Sequence, residues 1–297
     1  MTEGLRVVRV RVPLRTPMRG VAFRQATLVQ GGMGWGESSP MPGYPVASST
    51  CDSAAIEAAV LGLPDPVRDR VRVSALVPDE DLNAAVRRAG DAVAAGFGTV
   101  KLKVGDPGDV ARVLAVRREI GPEPAIRLDA NGAWDVPTAR RRLLELAAAD
   151  VEFVEEPVAG LEAMAELRLD VTVPIAADES VRSAEDVRRL TELGAADLLV
   201  VKVQACGGAL RALHWAEDAR LPVVVTSMME TSVGLAAGLA VAAALPELRY
   251  ACGLATAELL AGDVVSDPLL AEGGEMRVRR PEPDEGLLAR YSVEAPG

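Results

Sequence analysis

The sequence predicts an α/β fold: a parallel barrel of eight strand-helix units, its last helix missing or replaced, with a small α+β cap beside it. Three observations carry this. From residue 71 onward, short β-branched runs alternate with Ala/Leu/Arg stretches of helical period, as in a parallel sheet with crossover helices. Eight such runs recur, each about two dozen residues after the last, which is the unit length of a closed barrel. Residues 1–70 and the tail from 255 break this rhythm and fall outside the ring.

Taken in order, "MTEGLRVVRVRVP" alternates apolar residues with Arg, a strand pattern and not a signal peptide, so a cytoplasmic location is expected. It opens a small antiparallel sheet that runs into the Gly/Pro/Ser-rich loop "GGMGWGESSPMPGYPVASST". The barrel strands are expected at 71–77, 99–104, 125–130, 151–156, 173–178, 197–203, 222–227 and 249–254. Helical stretches such as "DLNAAVRRAGDAVAAG", "DVPTARRRLLELAAAD" and "SAEDVRRLTELGA" separate them. The chain is thus divided into an N-terminal part of the cap (1–70), a barrel with the active site (71–254) and a C-terminal segment returning to the cap (255–297).

Composition narrows the partners. A formal charge of −11 argues against nucleic acid and anionic membrane. The longest apolar runs stop short of a membrane span of roughly 20 residues. The three cysteines, Cys51, Cys206 and Cys252, are odd in number and set in apolar surroundings, as reduced core thiols are. The single histidine, His214, stands mid-helix in "ALRALHWAEDA", so hydrolase triads that need a His base are poorly supported. A small-molecule partner remains, and the sequence leaves the oligomeric state open.

Among 32 cationic side chains only three are lysine, and all three fall at expected strand ends: Lys101 and Lys103 in "KLK", and Lys202 in "VVKVQ". Such barrels carry their sites at the C-terminal ends of the strands. There, too, stand Asp129 in "RLDANG", Glu155 and Glu156 in "VEEP", and Asp178 in "ADES". From Lys103 the steps to Asp129, Glu155, Asp178 and Lys202 are 26, 26, 23 and 24 residues, one strand-helix unit each. Side chains two apart on a strand share a face, so Lys101 points with Lys103, and Arg127 with Asp129. One strand-end carboxylate is ordinarily a helix cap, a role that Asp109, Asp135 and Asp150 fit. Carboxylates converging from adjacent strands are costly without a cation, and an all-oxygen set suits Mg²⁺ or Mn²⁺. Arg cannot be deprotonated in a protein, whereas a desolvated lysine near other cations can become a neutral base. Lysines kept only here point to proton abstraction from carbon on a metal-bound substrate.

The pieces "KLK" (101–103), "LDANGAW" (128–134), "VEEP" (154–157), "ADES" (177–180), "VVKVQACGG" (200–208) and "GWGESSPMPGY" (34–44) resemble the enolase superfamily, in its muconate-cycloisomerase-like branch. They span nearly the whole chain in family order and spacing. The use of a Lys or His base with Mg²⁺ stabilising an enediolate is a general property of that superfamily. The resemblance implies a (β/α)₇β modified TIM barrel with an α+β cap. It implies Mg²⁺ on Asp129, Glu155 and Asp178, with Glu156, Asn131 and Arg127 supporting these ligands. It makes Lys103 the general acid/base, Lys101 its tuning neighbour, and Lys202 the lysine of the opposite face, steadying the intermediate.

Within the branch the short chain is most similar to the dehydratases of menaquinone biosynthesis, which turn 2-succinyl-6-hydroxy-2,4-cyclohexadiene-1-carboxylate into 2-succinylbenzoate. That likeness would place the succinyl carboxylate near Ser227 and Gly253. The cap's N-terminal part, about 70 residues, is shorter than most relatives carry. The alternative is an N-acylamino acid racemase or dipeptide epimerase using both lysines as acid and base. Dipeptide epimerases tend to carry a D-x-D near the eighth strand, and "YACGLATAE" has none. Muconate cycloisomerisation, a Schiff-base aldolase needing one buried lysine and no carboxylate trio, and a silent binding barrel complete the alternatives.

Overall fold

The computed structural model describes residues 4–18, 20–78 and 81–293. The first three and last four residues assigned to the cap lie outside these. The chain opens on two long antiparallel strands, β1 (Arg6–Met18) and β2 (Val21–Gly31), and β3 (Gly34–Ser38) adds to the far edge of β2. Alternation dictates the packing: Val10, Val12 and Leu14 turn inward on β1, while Arg9 and Arg11 are not buried.

Helix α1 (Ser48–Val60) lies across this sheet on a face of small residues, Ala54, Ala55, Ala58 and Ala59. The approach is close enough that a Cβ on Gly36 of β3 would stand 2.0 Å from the Ala55 carbonyl oxygen. Gly36→Ala must therefore push helix and sheet apart, and is expected to destabilise the protein by ~1–3 kcal/mol, the usual range for overpacking. Denaturant midpoints of the two proteins check this, and equal midpoints would contradict the packing described.

After β4 (Arg70–Arg72) the barrel begins. Its order is β5 (Ala75–Val77), α2 (Leu82–Ala94), β6 (Thr99–Lys103), α3 (Asp109–Ile120), β7 (Ala125–Asp129), α4 (Val136–Glu145), β8 (Val151–Glu155) and α5 (Leu161–Arg168). It continues through β9 (Ile175–Ala177), α6 (Ala184–Leu193), β10 (Leu198–Lys202), the one-turn α7 (Val203–Cys206), α8 (Ala209–Ala219), β11 (Val223–Thr226) and α9 (Ser232–Ala244). Strands β5 to β11 form one parallel sheet in chain order.

The eighth strand expected at 249–254 is reduced to two residues. Cys252 and Gly253 bridge in parallel to Val73 and Thr226. The Cys252 N–H donates to the Arg72 carbonyl at 2.7 Å, and the Gly253 N–H to that of Val225 at 2.9 Å, which suffices to close the ring. The architecture is the expected (β/α)₇β modified TIM barrel with an α+β cap. The first expected strand, 71–77, also divides. Its start leaves the ring as β4 to pair antiparallel with β12 (Glu275–Arg277), and only β5 stays in the barrel.

The tail ends in α10 (Glu285–Tyr291) against β1, and Leu260, Val264, Val265 and Leu288 complete the cap core with Trp35 and Leu28. Among the described residues no helix is long and apolar enough to cross a membrane. The three cysteines are buried and free.

Period-2 alternation sorts the barrel strands, apart from the start of β8, where the register shifts. Val100, Leu102, Ile126, Leu128, Leu199 and Val201 face the helices in the main core. Phe153, Ala176, Leu198, Val200 and Val224 face inward and fill the barrel floor with Tyr250. Of the three carboxylates with cap-like positions, Asp135 does cap α4, accepting the Thr138 N–H at 2.8 Å. Asp109 instead lies inside α3, where it accepts the Gly105 N–H at 3.1 Å and pairs with Arg142 at 3.1 Å. Asp150 is not an N-cap but the C-cap of the 3₁₀ turn Ala147–Ala149. It takes a left-handed turn (φ 47°) before β8.

Candidate active site

Above the apolar floor the inward positions turn polar at the C-terminal ends of five consecutive strands. Lys103, Asp129 and Glu155 stand side by side in register on β6, β7 and β8. Asp178 follows β9 directly, and Lys202 is the last residue of β10. With Lys101 they line one pocket, although the residues come from a stretch of the chain a hundred residues long.

The charges interlock. Lys101 Nζ lies 2.8 Å from Asp129 Oδ2 and 2.7 Å from Glu155 Oε2. Lys103 Nζ donates to Asp129 Oδ2 at 2.5 Å and to Asn131 Oδ1 at 2.8 Å. Lys202 Nζ donates to Asp178 Oδ2. All three carboxylates are buried, Asp129 and Glu155 to 1 % exposure and Asp178 to 3 %.

Burial acts differently on each group. It holds the Lys103 amine below its ordinary value, outweighing the pull of Asp129, with the Lys101 charge adding to the effect. Burial opposes the charge on Lys101 and Lys202 as well. There the carboxylates win, Asp129 and Glu155 at Lys101 and Asp178 at Lys202, and both amines are held above their ordinary value. Of the three lysines, Lys103 is thus the one moved toward the neutral base.

The other expected site residues are placed as follows. Glu156, in a left-handed turn (φ 43°), accepts the Asp178 N–H at 2.8 Å and the Ser180 hydroxyl, which fixes the turn carrying Asp178. Asn131, also left-handed (φ 46°), donates its N–H to Asp129 Oδ1 at 3.1 Å. Arg127 is buried one layer lower, level with Lys101. It donates to Glu152 Oε2 at 2.6 Å and the Ala251 carbonyl at 2.5 Å, with its guanidinium 4.6 Å from the Phe153 ring. Its contacts are with the floor. Ser227 shares a hydrogen bond with Thr256 (Oγ to Oγ1, 2.8 Å), and Ser227 and Gly253 line the same pocket on the far side.

Several pocket residues escaped the sequence reading. Tyr44, from the cap loop, donates its hydroxyl to Asp178 Oδ1 at 2.8 Å, and Lys202 Nζ lies 4.8 Å from its ring centroid. Met18 and Met41 from the cap line the pocket together with Met228 and Met229 from the loop after β11. Met18 ends β1 and the others lie in loops, which have no hydrophobic period, so nothing in the spacing marks these positions. What holds the loop is legible only in three dimensions. Glu37 at the end of β3 accepts the N–H groups of Thr231 (3.0 Å) and Gly234 (2.9 Å) at the start of α9. A carboxylate is well placed at a helix N-terminus. Gln204 clasps Ser39 through its backbone N–H (2.6 Å) and its hydroxyl (3.0 Å).

Whether this donor set suits a cation can be judged from its charges. Among the described residues no group of three or more His, Cys, Asp or Glu side chains is arranged to hold a metal ion, and lysine ammoniums lie against the carboxylates. Among the three, Glu155 remains short of positive charge. Burial pushes the Glu155 carboxyl up to about 8, and the Asp129 and Asp178 charges add to the rise despite Lys101. Three buried carboxylates, one of them pushed toward its neutral form by burial, are an all-oxygen set that fits a hard divalent cation.

His214 stands apart on α8, exposed in a groove with Thr50, Arg182 and Trp215. His214→Gln is expected to keep turnover within a few-fold of the unmodified protein. A loss of ~10³ with the fold intact, the scale of a missing general base, would show that the pocket has been misplaced.

The family model described as "Enolase C-terminal domain-like" matches residues 84–288, and that described as "Enolase N-terminal domain-like" matches residues 9–59. An o-succinylbenzoate synthase from Thermobifida fusca (strain YX) is 50% identical over 289 residues, covering 95% of this chain and 90% of that protein. A solved structure of a probable mandelate racemase from Alicyclobacillus acidocaldarius superposes with a TM-score of 0.81 at 31% identity, covering 98% of this chain and 97% of that one. A muconate lactonizing enzyme from Pseudomonas fluorescens, solved with muconolactone, superposes with a TM-score of 0.88 at 23% identity, covering 98% of this chain and 99% of that one, a likeness of fold.

Proposed function

The chain belongs to the enolase superfamily and is an enzyme of lyase type, and from that premise we propose that it dehydrates 2-succinyl-6-hydroxy-2,4-cyclohexadiene-1-carboxylate to 2-succinylbenzoate, a step of menaquinone biosynthesis. Family membership implies metal-assisted proton abstraction with a divalent metal, and Mg²⁺ is proposed here, held by Asp129, Glu155 and Asp178. The observation that carries the proposal is geometric: around three buried carboxylates, Lys103 is held on one flank by Asp129 and Asn131, and Lys202 is buried on the other against Asp178 and the Tyr44 ring. A reaction with one acid/base and one fixed cation matches that asymmetry. A racemase would need two exchanging lysines. The 50% identity to an o-succinylbenzoate synthase supports the same choice.

When bound, the cation supplies positive charge that stabilises the enediolate. Lys103 as a free amine takes the proton α to the ring carboxylate, and the C–H electron pair passes into the enediolate. When that pair returns to the ring, the C–O bond to the 6-hydroxyl breaks, and the Lys103 ammonium gives its proton to the leaving oxygen. Water departs, the ring becomes aromatic, and the amine is restored. Lys202 keeps its charge throughout and faces the anionic intermediate, with Tyr44 fixing its position through the ring contact at 4.8 Å. Ser227 and Gly253 are proposed to meet the succinyl carboxylate, which the hydroxyl pair of Ser227 and Thr256 can receive as donors. Met18, Met41, Met228 and Met229 give the ring an adaptable apolar wall.

A crystal structure with Mg²⁺ and 2-succinylbenzoate tests this placement. The ring carboxylate is expected between Lys103 and Lys202, with the succinyl arm toward Ser227. Product bound outside this pocket, or lying in it with the arm reversed, would contradict the proposal.

A further inference from the structure

Glu179 has no role in the chemistry so far, although it follows Asp178 directly. The turn that carries both is pinned by Glu156 through the Asp178 N–H and the Ser180 hydroxyl. Asp178 faces Lys202 and Tyr44, whereas Glu179 faces the other flank, toward β7. There its Oε1 accepts the side-chain amide of Asn131 at 2.8 Å (Nδ2), and Asn131 Oδ1 in turn accepts from Lys103 Nζ at 2.8 Å. The second oxygen of Glu179, Oε2, is buried and has no hydrogen-bond partner among the described residues.

An amide has one accepting end and one donating end. A lysine amine in this position donates, and the Glu179 oxygen that meets the amide accepts. Asn131, set between them, can stand only one way, with its oxygen on Lys103. The two acceptors on Lys103, Asp129 Oδ2 and Asn131 Oδ1, also take up two of the directions around its tetrahedral nitrogen, which restricts where a lone pair can point. We propose that Glu179 is a positioning residue of this site: by holding the donor end of the Asn131 amide it keeps the acceptor end on Lys103 and so aims that amine into the pocket. This deepens the proposed function and rests on its assignment of Lys103 as the acid/base.

The test is a double-mutant cycle on the Mg²⁺-loaded enzyme, with thermal unfolding to confirm that each variant folds. Glu179→Ala is expected to lower kcat by about 10-fold with little change in KM, the scale of one ordinary hydrogen bond. Glu179→Gln retains an accepting oxygen and is expected to stay within about two-fold. Asn131→Ala should lose as much as Glu179→Ala, and the double variant should lose no more than Asn131→Ala alone, as residues acting in series do. Unchanged kcat in Glu179→Ala, an equal loss in Glu179→Gln, or losses that multiply in the double variant would each overturn the proposal. Crystal structures of the unmodified protein and Glu179→Ala decide it without a substrate. The Asn131 amide is expected to leave Lys103 in the variant, and an unmoved Asn131–Lys103 contact would overturn it. A protein inert toward the cyclohexadiene would refute the proposed reaction, and these structures would still decide the role of Glu179.

Discussion

Lys103→Arg is expected to lower turnover by at least ~10²–10⁴, the contribution of general acid–base catalysis, while the fold and cation binding persist. The substitution keeps a positive charge where Asp129 Oδ2 now accepts at 2.5 Å, so the local ion pair survives. It removes the one group near Asp129 that burial has moved toward neutrality, since a guanidinium does not give up its proton. Lys202→Arg should be milder, because the proposed role of that residue is to remain charged beside Asp178 and the Tyr44 ring. Some loss is expected from the bulk of the forked guanidinium. Turnover of both variants, with solvent-deuterium exchange at the α-carbon of a slow substrate, separates the roles. If Lys202→Arg stops dehydration as completely as Lys103→Arg, the one-base mechanism is wrong and Lys202 must exchange a proton itself.

Removal of divalent metal by EDTA should abolish turnover, and Mg²⁺ or Mn²⁺ should restore it. The reason lies in three buried carboxylates, Asp129, Glu155 and Asp178, that line one pocket. Burial holds the Glu155 carboxyl up at about 8 even with Lys101 against it, so that group lacks positive charge. Ala at Asp129, Glu155 or Asp178 should likewise remove activity and weaken Mg²⁺ binding measured by calorimetry. These side chains stand above the apolar floor, so the barrel should stay folded. Full turnover by the chelated protein would end the metal assignment.

Much of this site was legible because a strand imposes a period of two. Once "TVKLKV" and "AIRLDA" were read as strands, Leu102 and Leu128 had to face the helices and Lys103 and Asp129 the barrel interior, as they do. The equal spacing of strand ends then carried Glu155, Asp178 and Lys202 to the same pocket. Where regular structure stops, so does the legibility. Tyr44 and Met41 reach the pocket from a loop whose path is set by Glu37 and Gln204, contacts between residues about 165 to 195 positions apart. Glu179 lies just past a strand end, where alternation no longer dictates a face, and its direction is set by the turn that Glu156 holds. The eighth strand was over-read because "RYACGL" has strand composition, while ring closure required only Cys252 and Gly253.

The most direct test of the central claim is an ultraviolet assay of the purified protein in deuterated buffer with Mg²⁺. It presents 2-succinyl-6-hydroxy-2,4-cyclohexadiene-1-carboxylate beside a panel of N-succinyl amino acids. The expected result is rapid, EDTA-sensitive formation of the aromatic product, with deuterium entering the amino-acid α-positions slowly or not at all. Rapid α-deuteration of the N-succinyl amino acids with no conversion of the cyclohexadiene would contradict it, and would identify both lysines as bases of a racemase.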